Sequence, residues 1–447
     1  MIFKNYEQLV ENGEDAKLQN IRKDILEILS YALGSVDPYN SVRKMFLENK
    51  ILLNSDEVDI SDFDDIYLVA FGKASIGMAK AVNDSVKLKE GIVVTNEKNK
   101  EIKNKKIKII SASHPIPDEN SIHASEKIIN LVKKCKKKDL LIVLISGGGS
   151  SLLCKPRIDL DDLQKTTDLL LKSGANIREI NTIRKHLSEI KGGKLVQYVN
   201  CKTISFVISD IVNDPLDFIA SGPTYPDSTT YNNAKDILFK YNIWEKIPTN
   251  VKNVINNGIK GDIEETPDFD DLIFQKVHNV IVANNALACK SAEEKAEELG
   301  YKSLLLTTSL EGEAKDAADF LVEKTKSYKT YSEKMIFISG GESTVTIKGD
   351  GNGGRNQEMV LASVDKISGE NIVFCSFATD GVDGNSDAAG AIADKNTFKK
   401  AKKFGLNPEN YLKNNDSYHF FKKINDLFFT GPSGTNVMDI QLIVKYK

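Results

Sequence analysis

The segment DLLIVLISGGGSS, residues 139–151, joins an apolar run directly to three glycines and two serines. The run from Leu140 to Ile145 is typical of a strand that is buried on both faces of a sheet. Three consecutive glycines are more than an ordinary strand-to-helix turn requires. The segment therefore predicts a central strand, followed by a loop whose N–H groups and serine hydroxyls converge on an anion.

Apolar strand patterns alternate with helical patterns on both sides of this segment. The strand patterns in the first half of the chain are residues 65–75, 91–96, 106–113 and 203–210. The helical patterns around them are residues 18–34, 75–86, 121–137 and 159–198. Such alternation predicts a mostly parallel sheet that is covered by helices on both faces.

A second alternation follows a polar, mixed stretch at residues 231–275. Its strand patterns are 278–285, 302–308, 333–343, 371–381 and 437–445, and its helical patterns are 286–299, 312–328 and 356–364. A chain of 447 residues is too long for one ordinary core. The sequence therefore predicts two α/β domains with a boundary between residues 235 and 275, and a ligand cleft at the carboxyl ends of their strands.

Composition and charge exclude several classes of protein. With 41% hydrophobic and 28% charged residues the chain is globular, and its net charge of −3 offers no bulk attraction to nucleic acid or an anionic membrane. The N-terminal segment lacks the apolar core of a signal peptide, and no apolar run approaches the roughly 20 residues of a membrane span. The five widely spaced cysteines indicate reduced thiols in a soluble, cytoplasmic protein.

The segment FGKAS, residues 71–75, places Lys73 just after a second buried strand. A lysine at the carboxyl end of a strand, beside a helix that Ser75 can cap, is a good phosphate partner. The segment is not a P-loop, because the glycine spacing is absent and Ala74 replaces the hydroxyl residue that would hold Mg²⁺. A surface lysine is the alternative interpretation.

Residues 181–195, NTIRKHLSEIKGGKL, are predicted as a helix that Gly192 and Gly193 cap. One face of this helix is polar and carries Asn181, Arg184, Lys185 and Ser188. Arg184 could hold a carboxylate or a phosphate through two parallel hydrogen bonds. A solvated basic face explains the same pattern equally well.

The long loop at residues 209–230 carries Asp210, Asp214 and Asp217 after a strand pattern. These carboxylates could orient a substrate hydroxyl or hold Mg²⁺. Turn chemistry is the alternative, because aspartate and proline are common in loops. The length of the loop favours a binding role.

Two further segments contain glycine and aspartate after strand patterns. KGDGNGGRNQE, residues 348–358, matches GxGxxG but lacks the acidic residue that a dinucleotide site needs about 20 residues later. Its glycines and Arg355 could instead cover nucleotide phosphates at a helix N-terminus. ATDGVDGNSDAAGA, residues 378–391, offers Asp380, Asp383 and Asp387 for Mg²⁺ or ribose, and a structural turn accounts for these residues about as well.

These motifs together resemble the class II glycerate 2-kinases, a family also labelled hydroxypyruvate reductase. The segments that carry the resemblance are FGKAS, SHPIPDENS, LISGGGSSLL, NTIRKHLSEIKGGKL, SDIVNDPLDFIASGPT, SGGESTVTIKGDGNGGRNQE, ATDGVDGNSDAAGA and NDSYHFF…TGPSGTNVMD. They extend over nearly the whole chain in the family's order. The last of them belong to the leucine-rich C-terminal region characteristic of the family.

The resemblance implies two α/β/α domains and a kinase activity. It implies a Rossmann-like N-terminal domain with a mostly parallel sheet at residues 1–240, a connector at 241–275, and a smaller mixed α/β domain at 276–447, with the active-site cleft between the domains. The implied reaction transfers the γ-phosphate of ATP, with Mg²⁺, to the 2-hydroxyl of D-glycerate, giving 2-phosphoglycerate and ADP. The alternative is an NAD(P)H-dependent hydroxypyruvate reductase. Neither nucleic acid nor membrane is expected as a partner, and the oligomeric state stays open, with a homodimer as one option.

The resemblance and the motifs together assign roles to individual residues. Lys73, Asp210 and Arg184 are expected to be catalytic, and Arg184 is expected to hold the glycerate carboxylate. The expected substrate- and phosphate-binding residues are Ser146, Gly147, Gly148, Gly149, Ser150, Ser151, Asn181 and Lys191. The expected nucleotide-binding residues are Gly340, Gly341, Glu342, Gly353, Gly354, Arg355, Asn356, Asp380 and Gly381. The expected metal ligands are Asp383 and Asp214.

Overall fold

The computed structural model describes residues 2–53, 56–329 and 334–447. The chain forms two compact units. The first unit comprises Pro38–Ser209 and Asp214–Val282, and the second comprises Met1–Asp37, Asp210–Asn213 and Ala283–Lys447. Within the described ranges, no helix has the length and apolar character to cross a membrane.

The strands are short and are distributed over both units. They are β1 Phe46–Leu47, β2 Lys50–Leu52, β3 Glu57–Asp59, β4 Ile66–Phe71, β5 Glu90–Thr95, β6 Ile107–Ser111, β7 Leu140–Ile145, β8 Lys202–Ile208, β9 Val277–Ala283, β10 Lys302–Leu310, β11 Lys334–Gly341, β12 Ile372–Ala378, β13 Gly390–Asp394, β14 Leu427–Phe428 and β15 Asp439–Tyr446. Of the predicted strand at 333–343, residue 333 lies outside the described residues.

The helices lie between these strands. They are α1 Tyr6–Glu11, α2 Ala16–Ser35, α3 Pro38–Arg43, α4 Ser75–Ser85, α5 Glu119–Val132, α6 Gly149–Leu152, α7 Leu160–Lys172, α8 Ile177–His186, α9 Tyr231–Lys240, α10 Thr249–Lys260, α11 Asn285–Glu298, α12 Ala314–Ser327, α13 Arg355–Ile367, α14 Thr397–Lys403, α15 Pro408–Lys413 and α16 Ser417–Ile424.

The first unit is built on a sheet with the strand order β6-β5-β4-β7-β8-β9. The pairs β5–β6, β4–β5, β4–β7 and β7–β8 are parallel, which confirms the predicted parallel sheet. Every residue of β4 and β7 is buried, as the continuous apolar runs predicted. Because neighbouring parallel strands end at the same edge, the loops after β4 and β7 are adjacent.

The second unit is built on a mixed sheet with the order β10-β11-β15-β12-β13-β14. Only β10 and β11 pair in parallel among the described strands of this sheet; the other pairs are antiparallel. This arrangement confirms the prediction of a mixed α/β domain. Its core includes Leu321, Phe337, Phe374 and Phe421, all of them buried.

Three segments are grouped differently from the predicted domain boundaries. Residues 1–37 belong to the second unit, where α2 packs against α11, β12 and β15. Strand β9 extends the sheet of the first unit, although its sequence was assigned to the C-terminal domain. The predicted connector at 241–275 belongs to the first unit, because Ile243, Val251 and Ile255 join a core formed with α7 and α8.

A buried ion-pair network fixes the N-terminal helices in the second unit. Arg22 on α2 is 1% exposed, and its guanidinium lies 2.6 Å from Asp394 and 2.6 Å from Asp426. The Leu9 carbonyl accepts a further hydrogen bond from Arg22 at 3.1 Å. Each charge is therefore compensated, since burying an unpaired charge would be costly.

Replacement of Arg22 by Met should destabilise the second unit by about 3–5 kcal/mol, because two buried carboxylates lose their partner. The free energy of unfolding from denaturant titration measures this effect. Lys413→Met removes an exposed pair with Glu409 and should cost less than about 1 kcal/mol. Equal effects of the two substitutions would contradict the role given to Arg22.

Candidate active site

The loops that follow β4 and β7 contact each other at the carboxyl edge of the first sheet. The Lys73 N–H donates to the Gly147 carbonyl at 2.9 Å, and the Ala74 N–H donates to Ser146 Oγ at 3.1 Å. Gly72 permits this approach, because its φ is 123° and a Cβ there would lie 2.1 Å from Ser146 Oγ. The sequence predicted the two loops separately, and the structure brings them together.

Gly148 brings two side chains against the glycine loop. Its φ of 81° lies in the left-handed region, and a Cβ there would lie 2.9 Å from His114 Cδ2 and 3.2 Å from Lys73 Cγ. Burial, and then the charge of Lys73, lower the pKa of His114. Its imidazole is therefore neutral at neutral pH. His114 is not among the residues that the sequence motifs predict for the site, although the segment SHPIPDENS contains it.

A chain of hydrogen bonds connects Asn181 to the glycine loop through Ser221. Ser221 Oγ lies 2.9 Å from Ser150 Oγ and donates to Asn181 Oδ1 at 3.0 Å. Ser221 is fully buried and has a φ of 63°. The length and composition of the loop at residues 209–230 predict a binding role for the loop, but they do not point to Ser221. Asn181 is therefore part of the support of the loop.

Lys191 also supports the glycine loop. Its ammonium donates to the carbonyls of Ser150 at 2.5 Å and Leu153 at 2.6 Å, and the residue is only 3% exposed. Burial lowers the pKa of Lys191 to about 8. Two of the three N–H donors of this ammonium bond backbone carbonyls. These contacts indicate that Lys191 positions the glycine loop, in addition to its expected role in phosphate binding.

Helix α8 ends at His186, nine residues before the end of the predicted helix at 195. The cause lies in Lys194, whose buried ammonium donates to the carbonyls of Lys185 at 2.7 Å and Ser188 at 2.6 Å. Gly192 and Gly193 turn the chain back with φ values of 58° and 77°. The buried ammonium therefore satisfies carbonyls that a continuing helix would have bonded.

Arg184 lies in the last turn of α8 and lines a cavity of about 900 Å³ in the first unit. Near the glycine loop the lining includes His114, Gly148, Ser150, Ser151, Arg184 and Lys191, and helix α7 contributes Asp161, Gln164, Lys165, Thr167 and Asp168. Among the described residues, neither Arg184 nor Lys73 forms an ion pair. By contrast, the neighbouring Lys185 is buried and pairs with Asp227 at 3.2 Å. The part of the cavity at Arg184 and the glycine loop therefore presents a positive charge without an ion-pair partner, which favours an anionic ligand there.

The expected nucleotide-binding residues belong to the second unit, where carboxylates surround Arg355. Its guanidinium binds both oxygens of Asp439, at 2.6 and 3.0 Å, and contacts Glu342 at 2.8 Å. Partial burial raises the pKa of Glu342, and the carboxylates of Asp439, Asp210 and Asp380 raise it further, against the opposing charge of Arg355. Arg355 is thus already compensated, and its surroundings are acidic. Gly340 and Gly341 end β11 beside this cluster.

Asp383 occupies the N-terminus of α13. One oxygen accepts from Asn356 N at 3.1 Å and Nδ2 at 3.2 Å, and the other accepts from Gln357 N and Nε2, both at 2.9 Å. Burial raises the pKa of Asp383 in spite of these donors. Gly354 lets the carboxylate approach, because a Cβ there would lie 2.3 Å from it. A magnesium ion at Asp383 would have to displace these hydrogen bonds.

The GxGxxG match lacks the donors that a dinucleotide requires. Such a site places the pyrophosphate on the free N–H groups of the following helix. The N-terminus of α13 instead carries the Asp383 carboxylate. A Cβ on Gly349 or Gly351 would lie 2.5 Å from the Asn414 carbonyl, so these glycines serve close packing. Gly353 and Gly381 were also expected to bind the nucleotide. Their φ values of 147° and 85° are positive, and such values favour glycine.

The expected metal ligands do not come together within either unit, because Asp383 belongs to the second unit and Asp214 to the first. Asp214 has a φ of 52° in the loop after β8. Within residues 2–53, 56–329 and 334–447, no group of three or more histidine, cysteine, aspartate or glutamate side chains could hold a metal ion. The metal-binding role of Asp214 stays a prediction, whereas Asp383 would have to give up its hydrogen bonds to the start of α13.

Two regions of the chain match known protein families. Residues 24–256 match a family described as a domain of unknown function, DUF4147. Residues 335–439 match the MOFRL family. The first match includes the glycine loop and Arg184, and the second includes Arg355 and Asp383.

The chain is similar to known glycerate kinases over nearly its whole length. It is 42% identical to the glycerate 2-kinase of Pyrococcus horikoshii over 95% of this chain and 97% of the relative. It is 39% identical to the D-glycerate 2-kinase of Thermotoga maritima over 94% of this chain and 98% of the relative. A crystal structure of glycerate kinase from Thermotoga maritima matches with a TM-score of 0.84 at 37% identity, covering 96% of this chain and all of that chain.

Lys194 should make stability depend on pH. Burial lowers its pKa from 10.5 to about 7 in the folded state. Between these pH values the unfolded chain binds more protons, so the contribution of Lys194 to stability should rise with pH by up to roughly 1.4 kcal/mol per unit. We expect the free energy of unfolding of the wild type, minus that of Lys194→Met, to increase from pH 7 to pH 10. Parallel pH profiles would contradict this assignment.

Proposed function

The chain belongs to the glycerate 2-kinase family, and on that basis we propose that it transfers the γ-phosphoryl group of ATP to the 2-hydroxyl of D-glycerate. The hydroxyl oxygen attacks the γ-phosphorus, the bond to the bridging oxygen of ADP breaks, and the hydroxyl proton is released. The products are 2-phosphoglycerate and ADP. The observation that carries the proposal is the pair of uncompensated cations, Lys73 and Arg184, beside the glycine loop of the first unit.

This geometry suits phosphoryl transfer, which depends mainly on positioning and on neutralising charge. We assign Lys73 to the transferring phosphoryl group, because its backbone is bonded to the glycine loop and its side chain flanks Gly148. The N–H groups of Ser146, Gly149 and Ser151 already donate to backbone carbonyls, so the further donors of the loop are the N–H groups of its other residues. We retain Asp210 as the residue that orients the attacking hydroxyl; this role rests on the family resemblance, and Asp210 is one of the carboxylates near Glu342.

Mg²⁺ commonly accompanies ATP and is held by one or two carboxylates together with the phosphates. Asp383 does not fit this role, because both of its oxygens already accept hydrogen bonds from the start of α13. We therefore propose that Mg²⁺ arrives bound to the phosphates of ATP, where it would supply additional positive charge. No step of the reaction is assigned to Asp383 or Asp214.

We also propose that the protein works in the cytoplasm. All five cysteines are free and buried. Free thiols persist in a reducing compartment. D-glycerate and ATP are the proposed small-molecule partners, and both are anions that suit the cations of the first unit.

The reaction can be tested by following ADP release with D-glycerate and by identifying the phosphorylated product. We expect ADP to form in proportion to 2-phosphoglycerate. The alternative, an NAD(P)H-dependent hydroxypyruvate reductase, predicts loss of absorbance at 340 nm with hydroxypyruvate and without ATP. Because the start of α13 is occupied by Asp383, we expect no such loss. Formation of 3-phosphoglycerate, or oxidation of NAD(P)H, would contradict the proposal.

Replacement of Lys73 by Met should lower kcat by a factor of about 100 or more, because a group that stabilises transition-state charge is lost. Steady-state kinetics at saturating ATP and glycerate measure the effect, and circular dichroism checks the fold. Lys80→Met is a matched control, because Lys80 is exposed on the adjacent helix α4. Near-normal turnover of the Lys73 variant would exclude this role.

A further inference from the structure

We infer that the cavity of the first unit holds the nucleotide, with the phosphates of ATP at Arg184 and the glycine loop and the adenosine along an apolar wall. This inference rests on the proposed kinase function and names the substrate that the cavity takes. It replaces two expectations from the sequence: that the nucleotide lies at residues 340–381 and that Arg184 holds the carboxylate of glycerate.

The size of the cavity is the first observation. Its volume is about 900 Å³, and pockets for drug-sized ligands range from about 300 to 1,000 Å³. Glycerate is a three-carbon acid and would leave most of this space empty. A nucleotide would fill it, because its base, sugar and phosphates together are of drug size.

The chemistry of the wall is the second observation. Ile116 and Leu171 line the cavity, and each is 61% exposed. The lining also includes Pro115, Pro117 and Leu163, and on α7 the charged residues Asp161, Lys165 and Asp168 stand beside these apolar side chains. Gln164 on α7 donates to the Pro117 carbonyl at 3.0 Å, which fixes the loop that carries Ile116 relative to α7. A cluster of exposed aliphatic side chains marks a binding surface, and the flat faces of a purine would cover it. Glycerate is too small and too polar to do so.

The distribution of charge is the third observation. At the polar part of the cavity, Arg184 keeps its guanidinium free of ion pairs among the described residues, and Ser150 and Ser151 offer hydroxyls. The fork of Arg184 matches the geometry of a phosphate. In the second unit, Arg355 is bound by Asp439 and Glu342 instead.

The loops of the second unit would repel a polyphosphate. Glu342 lies among the carboxylates of Asp210, Asp380 and Asp439, which raise its pKa further. The N–H donors at the start of α13 are bonded to Asp383. Like charges disfavour phosphate binding. The first unit therefore suits the nucleotide better.

The double variant Ile116→Ser/Leu171→Ser tests the apolar wall. We expect the KM for ATP, and the Kd for ADP measured by calorimetry, to rise by about tenfold, because apolar contact with the base is lost. The KM for D-glycerate should change by less than about twofold, because the substitutions leave the contacts that bind D-glycerate unchanged. Both residues are exposed, so the fold should persist.

Ile177→Ser is the matched control, because Ile177 is 56% exposed on the neighbouring helix α8 and does not line the cavity. We expect no change in any constant. The conservative variant Arg184→Lys tests the polar end and should raise the KM for ATP and the Kd for ADP, because a point charge cannot replace the fork.

A rise in the KM for glycerate alone, or unchanged ADP binding in the double variant, would overturn the inference. A different result would contradict the proposed function, namely that the wild type forms no ADP with glycerate. In that case ADP binding that depends on Ile116 and Leu171 would still support the nucleotide site, and ADP binding independent of them would overturn it.

Discussion

The close approach of the β4 and β7 loops is the constraint on which the active site depends. The buried strands β4 and β7 pair in parallel, so the loops that follow them begin at the same edge of the sheet. The absence of a side chain at Gly72 then lets Ser146 bond the start of α4. As a result Lys73, the amides of the glycine loop and His114 share one surface. Each of these groups comes from a different part of the chain, and none would form the site alone.

Lys191, Lys194, Arg22 and Arg355 all have partners within the protein, and they fall into two groups. The ammonium groups of Lys191 and Lys194 donate hydrogen bonds to backbone carbonyls. Lys191 thereby holds the glycine loop, and Lys194 holds the end of α8. Arg22 and Arg355 are compensated by carboxylates and hold the second unit together. Arg184 belongs to neither group. Because its charge is not consumed by the fold, it is the cation best placed to bind an anionic ligand.

The buried strands were predicted well because continuous apolar runs are local features, whereas the helix predicted to end at residue 195 ends at His186. The burial of β4 and β7 could be inferred from continuous apolar residues, and the glycine loop could be inferred from three adjacent glycines. The grouping of β9 with the first sheet could not be inferred, because the order of strands depends on contacts between distant segments. The same holds for α2, whose Arg22 finds its partners more than 370 residues away in sequence.

The sequence by itself determined the family, the two α/β folds and the residues available for chemistry, because motifs and periodicity are local properties of the chain. Only the tertiary structure decided which of those residues remain free to act. Lys191 and Arg355 carry the same charge as Lys73 and Arg184, and the sequence assigned ligands to all four. Folding gives the first two partners within the protein and leaves the other two without ion pairs among the described residues. Compensation of charge depends on which distant groups become neighbours, and only the folded chain determines that.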